Sequence, residues 1–118
     1  MPLTDDYGSL VWYSSKGATN NTTPQTAVSD PGTGAASYIV DENQLTVLNL
    51  DTAAVTIVVT ITGGTPRVVE RVSIAGSDKW MNSAKYGISA GETMTVELAA
   101  SVATTQPTWS CIYYQRIN

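Results

Sequence analysis

Residues 55 to 62 read Val-Thr-Ile-Val-Val-Thr-Ile-Thr, and beyond Gly63-Gly64 and Thr65-Pro66 a second β-branched run extends from Arg67 to Ile74. The first run places Val55, Ile57, Val59 and Ile61 on one face and the threonines mainly on the other, which is the period of a half-buried strand. Two glycines between such runs supply the positive φ that a hairpin turn needs. The two strands are expected to pair, with Pro66 at the turn end because it has no N–H to give to a ladder. A hairpin of this kind cannot bury its apolar face alone and needs more strands and a second layer.

The rest of the chain supplies them. Thr, Val and Ile make up 36 of the 118 residues, and these side chains suit a pleated surface better than a helix. Strand-like runs occupy Ser9–Tyr13, Tyr38–Val40, Gln44–Leu50, Thr93–Ala99 with Met94, Val96 and Leu98 inward, and Trp109–Ile117, an aromatic terminal run expected to be pinned in a sheet. With the hairpin this makes about seven strands. The expected fold is all-β, a single antiparallel β-sandwich or jelly roll, exposing roughly 6,000 Å² for a chain of this mass. Ser14 to Ser37 contains Asn20-Asn21-Thr22-Thr23-Pro24 and Asp30-Pro31-Gly32-Thr33-Gly34 and reads as loop or extended arm. The expected organisation is therefore an N-terminal strand and arm over residues 1–37 and a sandwich over 38–118. Residues 76 to 90 show no clean period.

Several chemistries are disfavoured. Histidine is absent, which removes the commonest acid-base group and metal ligand near neutral pH. Six Lys and Arg against ten Asp and Glu leave no basic footprint for nucleic acid or anionic lipid. No long apolar run occurs, and Met1 to Asp6 has neither a cationic nor an apolar leader region, so no membrane span or secretory signal is expected. Asp5-Asp6, Asp41-Glu42 and Glu97 read as solvated charges. Cys111 has no disulfide partner and no histidine to activate it, so it reads as a small buried hydrophobe. An oxygen-only calcium site drawn from Asp30, Asp41 or Asp78 has no calcium-loop spacing behind it. Asp30 to Gly34 lacks the Lys-Ser/Thr of a phosphate-binding loop and reads as a turn. The Asn-x-Thr triplets at Asn20 and Asn21 match a glycosylation acceptor but read as loop polarity. No catalytic, cofactor-binding or metal-ligating residue is assigned, and no enzyme is expected.

Aromatic side chains are the feature that could carry function, because Trp and Tyr join an apolar body to a polar tip and are enriched at interfaces. Trp12, Tyr13, Trp80, Met81, Tyr86 and Trp109 are the candidate partner interface. The competing use of Trp80, Tyr86 or Trp109 is a stacking platform in a carbohydrate-binding or adhesin module.

The run Leu48-Asn49-Leu50-Asp51-Thr52-Ala53-Ala54-Val55-Thr56-Ile57 and the turn Ile88-Ser89-Ala90-Gly91-Glu92-Thr93 resemble, over about residues 44 to 117, small structural proteins of tailed bacteriophages. The resemblance implies a capsid decoration, or cement, protein in the virion, assembled in the host cytoplasm. It would bind the major capsid protein or other virion proteins as a homo-oligomer, with a trimer favoured, and without catalysis or cofactor. A tail, baseplate or head-fibre accessory protein is the alternative within the same class. On this expectation the segment 14 to 37 reaches across a neighbouring subunit.

Overall fold

The structure, a computed structural model, describes residues 11–19, 22–32, 36–100 and 105–117. These contain ten strands: β1 Val11–Ala18, β2 Gln25–Val28, β3 Ala36–Val40, β4 Leu45–Leu48, β5 Val55–Thr62, β6 Arg67–Ile74, β7 Lys79–Met81, β8 Tyr86–Ser89, β9 Thr93–Leu98 and β10 Thr108–Ile117. All pairings are antiparallel, and they form a six-stranded and a four-stranded sheet, a β-sandwich as expected.

The predicted hairpin is β5 and β6, turning through Gly63 and Gly64 at φ of 137° and 67°, with Pro66 just outside β6. Its register shifts between Val59 and Thr60, where Val68 and Glu70 flank an extra residue, Val69. The four-stranded sheet runs β2-β9-β5-β6, and Val55, Ile57, Val59, Ile61, Met94, Val96 and Leu98 all face the core. Each such side chain taken fully out of water contributes about 1.5–3 kcal/mol.

β10 organises the other sheet. One of its edges pairs with β1 over eight positions, from Val11 with Gln115 to Ala18 with Thr108. Its other edge is shared by β4, opposite residues 108 to 111, and β3, opposite 114 to 117. β7 extends the sheet beyond β4, and β8 extends it beyond β3. Trp109, Cys111 and Tyr113 point inward from β10, against Val47 and Leu45 of β4.

Two expectations are corrected. About seven strands were expected and ten are present, because β2, β7 and β8 are too short to show a period. The described residues between 14 and 37 are not an arm: β1 continues to Ala18, β2 pairs with β9, and the Ser15 hydroxyl donates to the Ala27 carbonyl at 2.6 Å, joining the two sheets. Ala27 and Val28 lie in the common core, so position 37/38 is not a boundary in the fold.

Candidate functional site

Register fixes what each sheet shows to solvent. With Trp109, Cys111 and Tyr113 turned inward, β10 turns Ser110, Ile112, Tyr114 and Arg116 outward. Its partners follow: Trp12, Ser14 and Lys16 from β1, Thr46 and Leu48 from β4, Ile39 from β3, Lys79 and Met81 from β7. The outer face of the six-stranded sheet therefore gathers Trp12 (55% exposed), Ile112 (44%), Leu48 (40%) and Met81 (40%). A single exposed apolar residue needs no explanation, but a contiguous set on one face does. The Trp12 ring lies tilted against Tyr114, centroids 4.9 Å apart.

The same face is electrostatically one-sided. Lys16, Lys79 and Arg116 project from it, and none of its described strand residues is a carboxylate, although the chain as a whole carries net charge -4. The described carboxylates lie elsewhere: Asp30 and Glu92 at turns, Asp41 and Glu42 between β3 and β4, Asp51 buried in a loop, Glu70 and Glu97 on the other sheet. Asp78 stands at the rim, where its carboxylate accepts the Lys79 N–H at 2.8 Å.

Three grooves of about 480, 490 and 400 Å³ adjoin one another across this surface. The first two share Lys16 and Ser110, and the second and third share Leu48. They run from Ile112 to Leu50 and Lys79, with Lys16 midway.

The expected interface residues divide. Trp12 and Met81 belong to this face. Tyr13 points the other way and packs with Tyr38 and Tyr113, centroids 5.1 to 5.5 Å apart, at one end of the sandwich. Burial pushes the Tyr38 and Tyr113 hydroxyls above their ordinary pKa. Trp80 is half-buried against the core. Tyr86 and Trp109, each 4% exposed, are corrected from interface to core. The Tyr86 hydroxyl donates to Glu70 at 2.7 Å and bridges the two sheets, while the Trp109 indole donates to Gln25 at 3.0 Å. Of the alternative stacking platforms, Trp80, Tyr86 or Trp109, the last two are buried and Trp80 is half-buried.

Ile112, Leu48, Tyr114 and the three cations were missed by sequence reasoning, although strand parity along β10 could have found Ile112, Tyr114 and Arg116. Once Trp109, Cys111 and Tyr113 are inward, residues 110, 112, 114 and 116 must be outward.

The remaining candidates resolve into structure. Cys111 is fully buried, and burial pushes its thiol up to about 12. Asp30 accepts the N–H groups of Gly32 and Gly91, each at 2.8 Å, and these hold its carboxyl below its ordinary pKa. Among the described residues no group of three or more His, Cys, Asp or Glu is placed to hold a metal ion. Asp5, Asp6, Asn20 and Asn21 lie outside the described residues.

The motifs that carried the resemblance also prove to be turn-builders. Asn49 donates to the carbonyls of Ala53, Ile74 and Ala75 and accepts the Asp51 N–H, while Asp51 accepts the Thr52 and Ala53 N–H groups. Glu92 accepts the Ser89 N–H at 2.9 Å and pairs with Arg67 at 2.7 Å.

No protein-family model and no curated protein matches the chain. Solved structures share its fold, two of them as follows. One, from work on Bacillus endospore appendages that form a family of disulfide-linked pili, is 16% identical with a TM-score of 0.50, covering 92% of this chain and 88% of the other. The second, the Drosophila NLP core studied for pentamer formation and histone binding, is 11% identical with a TM-score of 0.52, covering 92% and 97%.

Proposed function

We propose that the chain is a non-catalytic structural subunit that joins a protein assembly through the outer face of its six-stranded sheet. The observation that carries this reading is the coincidence on one face of Trp12, Ile112, Leu48, Met81 and three cations, with no carboxylate among its described strand residues. Protein interfaces combine exposed apolar and aromatic groups with a polar rim, and one-signed charge selects partners of the opposite sign. The two structures of similar fold come from proteins described as forming pili and a pentamer, which supports assembly as a use of such a sandwich. Decoration of a bacteriophage shell by a trimer is the narrower form of this proposal and rests on the sequence resemblance alone.

A carbohydrate-binding reading is less well supported. The exposed Trp12–Tyr114 pair offers a ring surface, but the face around it has no carboxylate to orient sugar hydroxyls.

Photo-crosslinking tests the proposal. A photoreactive residue at Ile112 or Leu48, irradiated in the cells or particles that contain the protein, should join a defined protein. The same group at Val68, exposed on the opposite sheet, should not. Equal crosslinking from both faces, or none from either, overturns the proposal.

A further inference from the structure

The groove across the six-stranded sheet has a largely apolar floor and carries Lys16 and Lys79 along its course, with Asp78 beside Lys79 at its rim, so the cations outnumber the carboxylate and its occupant should combine apolar side chains with negative charge. A second copy seated face to face meets this requirement poorly, because it would set the cations Lys16, Lys79 and Arg116 against a face of the same sign, with only Asp78 at the rim to offset them. The chain does contain a segment of the required chemistry. Residues 1 to 10 read Met-Pro-Leu-Thr-Asp-Asp-Tyr-Gly-Ser-Leu, with the adjacent acids Asp5 and Asp6 flanked by Leu3 and Tyr7. The other adjacent acidic pair, Asp41-Glu42, is followed by the polar Asn43-Gln44, and Asp41 already lies 3.8 Å from the Lys85 ammonium.

Dimensions agree. The groove crosses β1, β10, β4 and β7, about 14 Å at the usual strand spacing, and Leu3 to Tyr7 in extended form spans about the same distance. Direction favours a neighbour over the chain's own groove. Val11 pairs with Gln115 at one end of the sheet, whereas Lys16, which lines the groove, pairs with Ser110 five positions away. A segment entering β1 in line with the strand would approach from the Val11 end. To reach its own groove it would have to double back over the Trp12 ring.

We infer that residues 1–10 of one copy occupy the groove of the next, with Asp5 and Asp6 facing Lys16 and Lys79 and with Leu3 and Tyr7 on the apolar floor. This contact is head-to-tail, so it propagates from copy to copy and yields rings or filaments, where a twofold contact would stop at two. The inference rests on the reading of this face as a protein-docking surface.

The test uses the full chain and light scattering over a range of concentrations. The wild type should rise above the 12.5 kDa of one chain as concentration increases, and less so at high salt. Lys16→Glu/Lys79→Glu and Asp5→Lys/Asp6→Lys should each weaken association at least about tenfold. A mixture of the two variants, or one chain carrying all four changes, should restore it. Thermal melting of each variant, all changed at exposed or terminal positions, shows whether the fold is intact. A wild type that stays monomeric overturns the inference, as does association that survives both reversals or is not rescued by the combination. Crosslinks from Ile112 to a different protein, with a monomeric chain in solution, would overturn this inference and leave the proposed function standing.

Discussion

The side-chain amide of Asn49 donates to the carbonyl of Ile74 at 3.0 Å, tying the loop after β4 to the end of β6 across the edge of the sandwich. The same nitrogen reaches the carbonyls of Ala53 and Ala75, and the Asn49 oxygen accepts the Asp51 N–H, all at a side chain only 1% exposed. Removing it takes a partner from the Ile74 carbonyl and the Asp51 N–H, whose bonds are buried, the costly direction of hydrogen-bond loss. Asn49→Ala should therefore lower the unfolding free energy by about 3 kcal/mol in urea melts. A loss below about 1 kcal/mol would show that the loop finds other partners.

Gly76 illustrates a different constraint. A Cβ there would overlap the carbonyl of Thr52 and force the 51–53 loop outward, straining the Ser77 N–H bond to the Asp51 carbonyl at 2.9 Å. Gly91 has open space around its missing Cβ but a φ of 88°. Gly91→Ala should cost about 1–2 kcal/mol from backbone conformation alone, and Gly76→Ala should cost more because backbone must move. Thermal melts of the two variants rank them, and the reverse order would refute the close-approach argument.

Much of this was legible from local pattern. The β5–β6 hairpin could be read because eight-residue strands show their period and Gly63-Gly64 marks the turn. β7 and β8 could not, since Lys79–Met81 and Tyr86–Ser89 are three and four residues long. β2 is four residues long and its pairing shifts register between Thr26 and Val28. β1 hid its extent because Ser14 to Ala18 edges a sheet and carries little apolar patterning. The aromatics failed for a related reason: Trp12 and Trp109 look alike in sequence, and only register decides that one faces water and the other the core. The candidate face was half legible. Parity along β10 gives Ile112 and Arg116, but bringing Lys16 and Leu48 beside them requires β1 and β4 to flank the same strand, a long-range fact with no local mark.

Acid should act through Glu92. Its Arg67 partner first, and the Ser89 N–H next, hold its carboxyl below the ordinary 4.5, while its side chain is 18% exposed. As pH falls the unfolded chain takes up this proton before the folded one does. The stabilising contribution is thus present above about pH 4.5 and is lost as pH drops through the lower folded value. Glu92→Gln should be less stable than the wild type at pH 7, and the gap should close as pH falls from 4.5 through the lower folded value and shrink in high salt. A gap independent of pH would mean that shape, not charge, holds the turn.

Base should act through Cys111, where the sign is opposite. Burial lifts the thiol from 9.0 to about 12, and unfolding returns it to the lower value. Between these limits the unfolded chain sheds a proton that the folded chain keeps, so stability is full below pH 9 and falls as pH rises toward 12. Burial also raises Tyr86, Tyr38 and Tyr113, and they add to the same alkaline loss. Cys111→Ala removes a fully buried sulfur and should cost about 1 kcal/mol at pH 7. It also removes one of the alkaline terms, so its deficit should narrow from pH 9 upward in urea melts. At pH 8 the folded thiol is protonated and buried, and a disulfide reagent should label it only at the rate of unfolding. Rapid labelling of the native chain, or a deficit unchanged at pH 10.5, would show that Cys111 is reached by water in a way that its burial in β10 forbids.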